Sequence, residues 1–141
     1  MRFIVFVKAN QDTEAGVMPS QQLLEDMMHY NQQLVDAGIM KGGEGLRPSR
    51  DGARVVFDGQ KQTVVDGPFT ETKELVAGYW LWECESLEEA IDWVKKCPNP
   101  TGDQSVIEIR PMYVMDDFGE AVSPKVREME DHLCKQIESQ D

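Results

Sequence analysis

Apolar and polar positions divide the chain into short runs whose periods predict its elements. Phe3-Ile4-Val5-Phe6-Val7, closed by Lys8, is apolar on both faces and predicts a buried strand over 2–8. After a polar loop over 9–19, Ser20 is placed to cap a helix running to about Ala37, with Gly38 as its stop. Leu24, Met27, Met28, Leu34 and Val35 form that helix's apolar face; Asn31 interrupts it, and His29 and Gln32 fall on the other side. The glycine-rich stretch 41–53 reads as irregular. Arg54 to Phe57 and Gln62 to Val65, joined through Asp58-Gly59, read as a hairpin, because Asp-Gly accepts the positive φ of a tight turn.

Pro68 cannot donate to a ladder, so Asp66-Gly67-Pro68-Phe69 ends the second hairpin strand, and Thr70 to Val76 has room for one helical turn. Tyr79 to Cys84 is an alternating aromatic strand. Ser86-Leu87-Glu88-Glu89 is a capping box opening a helix that ends at Cys97-Pro98. Ser105 to Arg110 is a final strand, terminated by Pro111. The order predicts an α+β domain of ferredoxin-like β-α-β-β-α-β type with an extra hairpin strand, over 1–115. Helices cover one face of such a sheet. Trp80 or Trp82 is then expected on the open face, buried by a second subunit packing sheet against sheet. Residues 116–141 form an acidic extension, whose Ser123-Pro124 starts a helix with a narrow stripe at Val126, Met129, Leu133 and Ile137.

Composition narrows the function. A chain of 141 residues, 40% hydrophobic and 28% charged, suits one globular domain. Its net charge of −12 opposes binding to nucleic acid phosphates or to an anionic membrane. The extension holds eight acids and three bases, while the stretch from Lys41 to Arg54 is locally basic. No segment reads as a signal peptide or membrane span. Three cysteines without a CxxC, and only two histidines, predict a reducing cytoplasm, no disulfide framework, no metal site and no cofactor.

Two groups of residues have the makings of a site. Asp66 to Glu74 gathers carboxylates and Lys73 beside a rigid Gly-Pro turn, which suits a base of tuned pKa; the same residues also serve an ordinary capped turn. Arg47, Arg50 and Arg54 in the basic loop, with Arg110 on the last strand, suit a carboxylate or phosphate of a small anionic ligand. Structural salt bridges account for them equally well. Gly42-Gly43-Glu44-Gly45 matches no phosphate-binding loop.

The run Val64 to Glu74, containing Asp66-Gly67-Pro68-Phe69 and followed by Gly78-Tyr79-Trp80, resembles the DGPF branch of the YCII-related proteins. The resemblance extends over about residues 1–112, through Gly38, Gly45-Leu46, Pro48 and Ile109-Arg110-Pro111. It implies a dimeric α+β barrel. Some relatives are enzymes or enzyme candidates that pair an aspartate with a histidine near the start of the first helix. Here that position falls near Met27, and His29 stands two residues away, turned by roughly 200° on the helix.

The resemblance leaves Asp66 as the candidate acid or base. Arg47, Arg110, Phe69, Glu71 and Lys73 are the candidate ligand contacts in a pocket near a homodimer interface. The alternative is a non-enzymatic regulatory or interaction module in which the DGPF turn is structural.

Overall fold

The computed structural model describes every residue except Asp103 and Asp141. Two compact units result, Met1–Pro111 and Met112–Asp141. In the first, strands β1 (Arg2–Lys8), β2 (Met40–Gly45), β5 (Val76–Glu83) and β6 (Ile107–Pro111) form one sheet in the order β2-β5-β1-β6. All neighbours are antiparallel. Among the described residues, strands β3 (Ala53–Asp58) and β4 (Lys61–Asp66) pair only with each other, as a separate two-stranded sheet. The unit also contains α1 (Gln11–Glu14), α2 (Gln21–Asp36) and α3 (Leu87–Lys95). The architecture is α+β, with the strand order of a ferredoxin-like sheet.

Local chemistry explains the boundaries. Ser20 Oγ accepts from Leu23 N at 3.1 Å to start α2, and Gly38, at φ 75°, turns the chain out of it. Ser86 Oγ accepts from Glu89 N at 3.1 Å to start α3. The reciprocal bond of the capping box lands one residue early, since Glu89 Oε2 accepts from Glu85 N at 2.8 Å.

Two expectations require correction. The glycine-rich stretch is not irregular throughout, because Met40–Gly45 is the sheet's fourth strand and the hairpin is an insertion after it. Strand propensity missed it because backbone pairing to β5 replaces the side-chain packing that usually marks a strand. Neither Trp80 nor Trp82 lies on the open face. Register pairs Trp80 with Val5 and Trp82 with Phe3, all four buried beneath the helices with Leu34 and Ala90. Strand alternation therefore puts Ile4, Phe6, Tyr79 and Leu81 on the other face, where all four are half-buried.

Tyr30 joins this core by donating its hydroxyl to Trp93 O at 2.5 Å. Burial, then the neighbouring Cys97 and Cys84, holds its phenol far above the ordinary 10.0. The second unit contains α4 (Pro124–Ser139), started by Ser123 Oγ accepting from Val126 N at 3.2 Å. Its stripe of Val126, Met129, Leu133 and Ile137 is exposed. No described helix is long and apolar enough to cross a membrane.

Candidate functional site

Where β2 and β5 run under α2, the helix-facing side of the sheet loses its side chains. Gly43 pairs with Trp80, Gly45 with Gly78, and Gly78 with Val7, so three glycines line up on that side. Gly43 is required for fit, because a Cβ there would lie 2.8 Å from Trp80 Cδ1 and 2.9 Å from Tyr79 O. A Cβ on Gly45 would meet nothing within 4 Å. A cleft of about 830 Å³ lies here, in the size range of small-molecule sites.

The cleft is walled by Leu23, Leu24, Met27 and Met28 of α2 and floored by Val7, Met40 and Trp80. The 10–19 segment contributes Asp12, Val17 and Met18, and the segment after β2 contributes Leu46, Arg47, Arg50 and Asp51. Arg47, whose side chain is 85% exposed, sits at the rim and pairs with Asp51 at 3.1 Å. Arg50 spans the mouth, donating to Ala15 O at 3.2 Å and lying against Gly16.

The DGPF turn stands behind this rim. Gly67 packs so closely on the 49–51 turn that a Cβ would fall 1.7 Å from Ser49 O and 3.1 Å from Arg50 Cα. Phe69 N donates to Ser49 Oγ at 3.0 Å, while Ser49 donates its own N–H to Glu14 Oε1 at 3.0 Å and its hydroxyl to Glu14 Oε2. Arg54 stacks over the Phe69 ring at 3.8 Å. One serine thus ties together the turn, the rim that carries Arg47 and Arg50, and helix α1. The Gly67–Pro68 bond is cis.

The candidate residues read from the sequence do not gather at one place. Arg47 lines the cleft. Asp66 is exposed at the end of β4, opposite Ala53, and does not line it. Phe69, Glu71 and Lys73 also lie outside the lining. Arg110 pairs with Ile4 and so occupies the open face of the sheet. His29 is exposed and outside the cleft, whereas Met27 lines it.

Sequence reasoning missed Asn31 and the four methionines Met18, Met27, Met28 and Met40 as cleft residues. The break that Asn31 makes in an apolar face was the signal that could have found it. Among the described residues no group of three His, Cys, Asp or Glu side chains is placed to hold a metal.

A four-stranded antiparallel α+β unit with a cleft between its sheet and first long helix defines the class. The chain belongs to the YCII-related domain family, which matches residues 1–116. An uncharacterized protein of Rhizobium meliloti (strain 1021) is 30% identical over 92 residues, covering 65% of this chain and 74% of the relative. The solved 5-chloro-2-hydroxyhydroquinone dehydrochlorinase of Burkholderia phenoliruptrix, in complex with 2,5-dihydroxybenzoquinone, is 17% identical with a TM-score of 0.41. It covers 81% of this chain and 96% of its own.

Proposed function

We propose that this protein binds a small, mainly apolar molecule carrying an anionic group, with the apolar body in the cleft and the anion at Arg47. The observation that carries this reading is the cleft beside α2, with open space above Gly45 and a wall of Leu and Met side chains. An unfilled apolar volume forfeits packing, and a ligand restores it. Methionine suits such a wall because its unbranched thioether adapts to many shapes. Met27, near the position where the resemblance places the histidine of some relatives, lines the cleft, and His29 is exposed outside it.

Within this reading the chain is of the DGPF branch, and the motif acts structurally by bracing the rim. Asp66, outside the cleft of its own subunit, is not the proton acceptor. The chain forms a homodimer of the α+β barrel type, burying Ile4, Phe6, Tyr79 and Leu81 against their counterparts. The β3–β4 hairpin supports association, because Phe57 is 70% exposed and Val64 65% exposed on a two-stranded sheet too small to stand alone. Three free cysteines fit a reducing cytoplasm.

The test is calorimetric titration with 2-naphthoate. Saturable binding of one molecule per chain is expected, lost in Gly45→Phe and weakened about threefold in Arg47→Gln, an exposed charge pair. Asp66→Asn should bind as the parent does. Binding that survives Gly45→Phe unchanged would remove the cleft as the site.

A further inference from the structure

We infer that Asn31 selects the ligand by donating a hydrogen bond from its side-chain Nδ2 to an acceptor oxygen, a carbonyl or ionised hydroxyl or carboxyl group, on the molecule in the cleft. The inference rests on the cleft being a binding site and names the ligand chemistry that site takes.

Asn31 breaks the apolar face of α2 and lines the cleft together with Trp80. Its neighbours one turn back, Met27 and Met28, offer no polar partner. The Trp80 indole nitrogen lies 3.0 Å from the Asn31 amide. An indole N–H can only donate, so the amide atom facing it is the carbonyl oxygen. The Nδ2 group is then the end left over, with two protons and no acceptor among the described residues.

Trp80 itself is held firmly. It is only 6% exposed, with Tyr30 edge-on at 6.0 Å and Trp82 at 5.8 Å. The donor direction is therefore set before any ligand arrives, which lowers the ordering cost of using it. Asn31 is half-buried, and a ligand seated in the cleft beside it shuts water from its amide, so a ligand without an acceptor leaves the donor unpaired.

Acetophenone and ethylbenzene form the probe pair, matched in size and neutral, so that Arg47 plays no part. The variant is Asn31→Asp, which keeps an oxygen for Trp80 and replaces the free donor by an acceptor. The parent protein should bind acetophenone about fivefold more tightly than ethylbenzene. Asn31→Asp should lose that preference, read as the ratio of the two affinities in the same variant.

Equal binding of both probes by the parent, or a preference that survives in Asn31→Asp, would overturn the role of Asn31 and leave the cleft standing as a site. Failure of both probes to bind would overturn the cleft reading and this inference with it. A direct readout needs no variant: acetophenone, but not ethylbenzene, should shift the Asn31 Nδ2 proton resonances of the folded protein. An unmoved pair of resonances under saturating acetophenone would refute the contact.

Discussion

Replacing Gly67 by alanine separates a structural from a chemical role for the DGPF turn. The added Cβ would lie 1.7 Å from Ser49 O, so the turn must withdraw by about 1.7 Å to reach the 3.4 Å where ordinary contact begins. That movement breaks the 3.0 Å bond from Phe69 N to Ser49 Oγ. A lost neutral hydrogen bond costs about 1 kcal/mol, and the partly buried groups left behind cost about 1 kcal/mol more. Disturbing the Arg54–Phe69 stack, 3.8 Å apart, adds roughly 0.5 kcal/mol at an exposed site. Alanine stiffens the unfolded chain and returns roughly 0.5 kcal/mol.

The net is a destabilisation of about 2 kcal/mol, or a drop in Tm of roughly 6 °C for a chain of this size. Calorimetric melting of Gly67→Ala beside Asp66→Asn checks it, because exposed Asp66 should change stability by less than about 0.5 kcal/mol. A Gly67→Ala protein that melts within a degree of the parent would refute the bracing role. So would an Asp66→Asn variant that falls as far.

Ser49→Ala should also destabilise, by about 2 kcal/mol in urea titration, because it strands Phe69 N and removes a hydroxyl donor from the Glu14 carboxylate. Burial, followed by Glu89, pushes the Cys84 thiol from 9.0 to about 11, and burial alone does the same to Cys97. The unfolded chain releases these protons first, so stability should be intact below about pH 9 and decline as pH rises through about 11. Urea midpoints from pH 7 to 11 measure this, and a flat profile would contradict it. Leu81→Arg should convert a dimer to monomers in sedimentation equilibrium, with the fold retained by circular dichroism, since an unpaired charge at the centre of an apolar interface is costly; an unchanged mass would contradict the sheet-face dimer.

Much of the fold was legible because each element carried its own local signal. Ser20 and Gly38 bounded α2, Ser86 opened α3, and Asp58-Gly59 turned the hairpin at φ 61°. Strand β2 was not, since its Met-Lys-Gly-Gly-Glu-Gly run has almost no side chains to alternate and is a strand only through its pairing to β5. Missing β2 also hid the cleft, because Gly45 comes to lie opposite Gly78 at the cleft only in the register of those two strands. The facing of Trp80 and Trp82 depended on the same long-range register and not on their own alternation. Conspicuous residues such as Asp66 and Arg110 drew the site reading toward charge, while the cavity is defined by missing side chains and by methionine.

Methionine methyl resonances test the central claim most directly. Met18, Met27, Met28 and Met40 line the cleft, whereas Met112, Met115 and Met129 belong to the second unit. Titration of the methyl-labelled protein with 2-naphthoate should move Met27, Met28 and Met40 along one saturable curve. Unmoved cleft methyls at saturating probe, or shifts confined to Met112, Met115 and Met129, would contradict it.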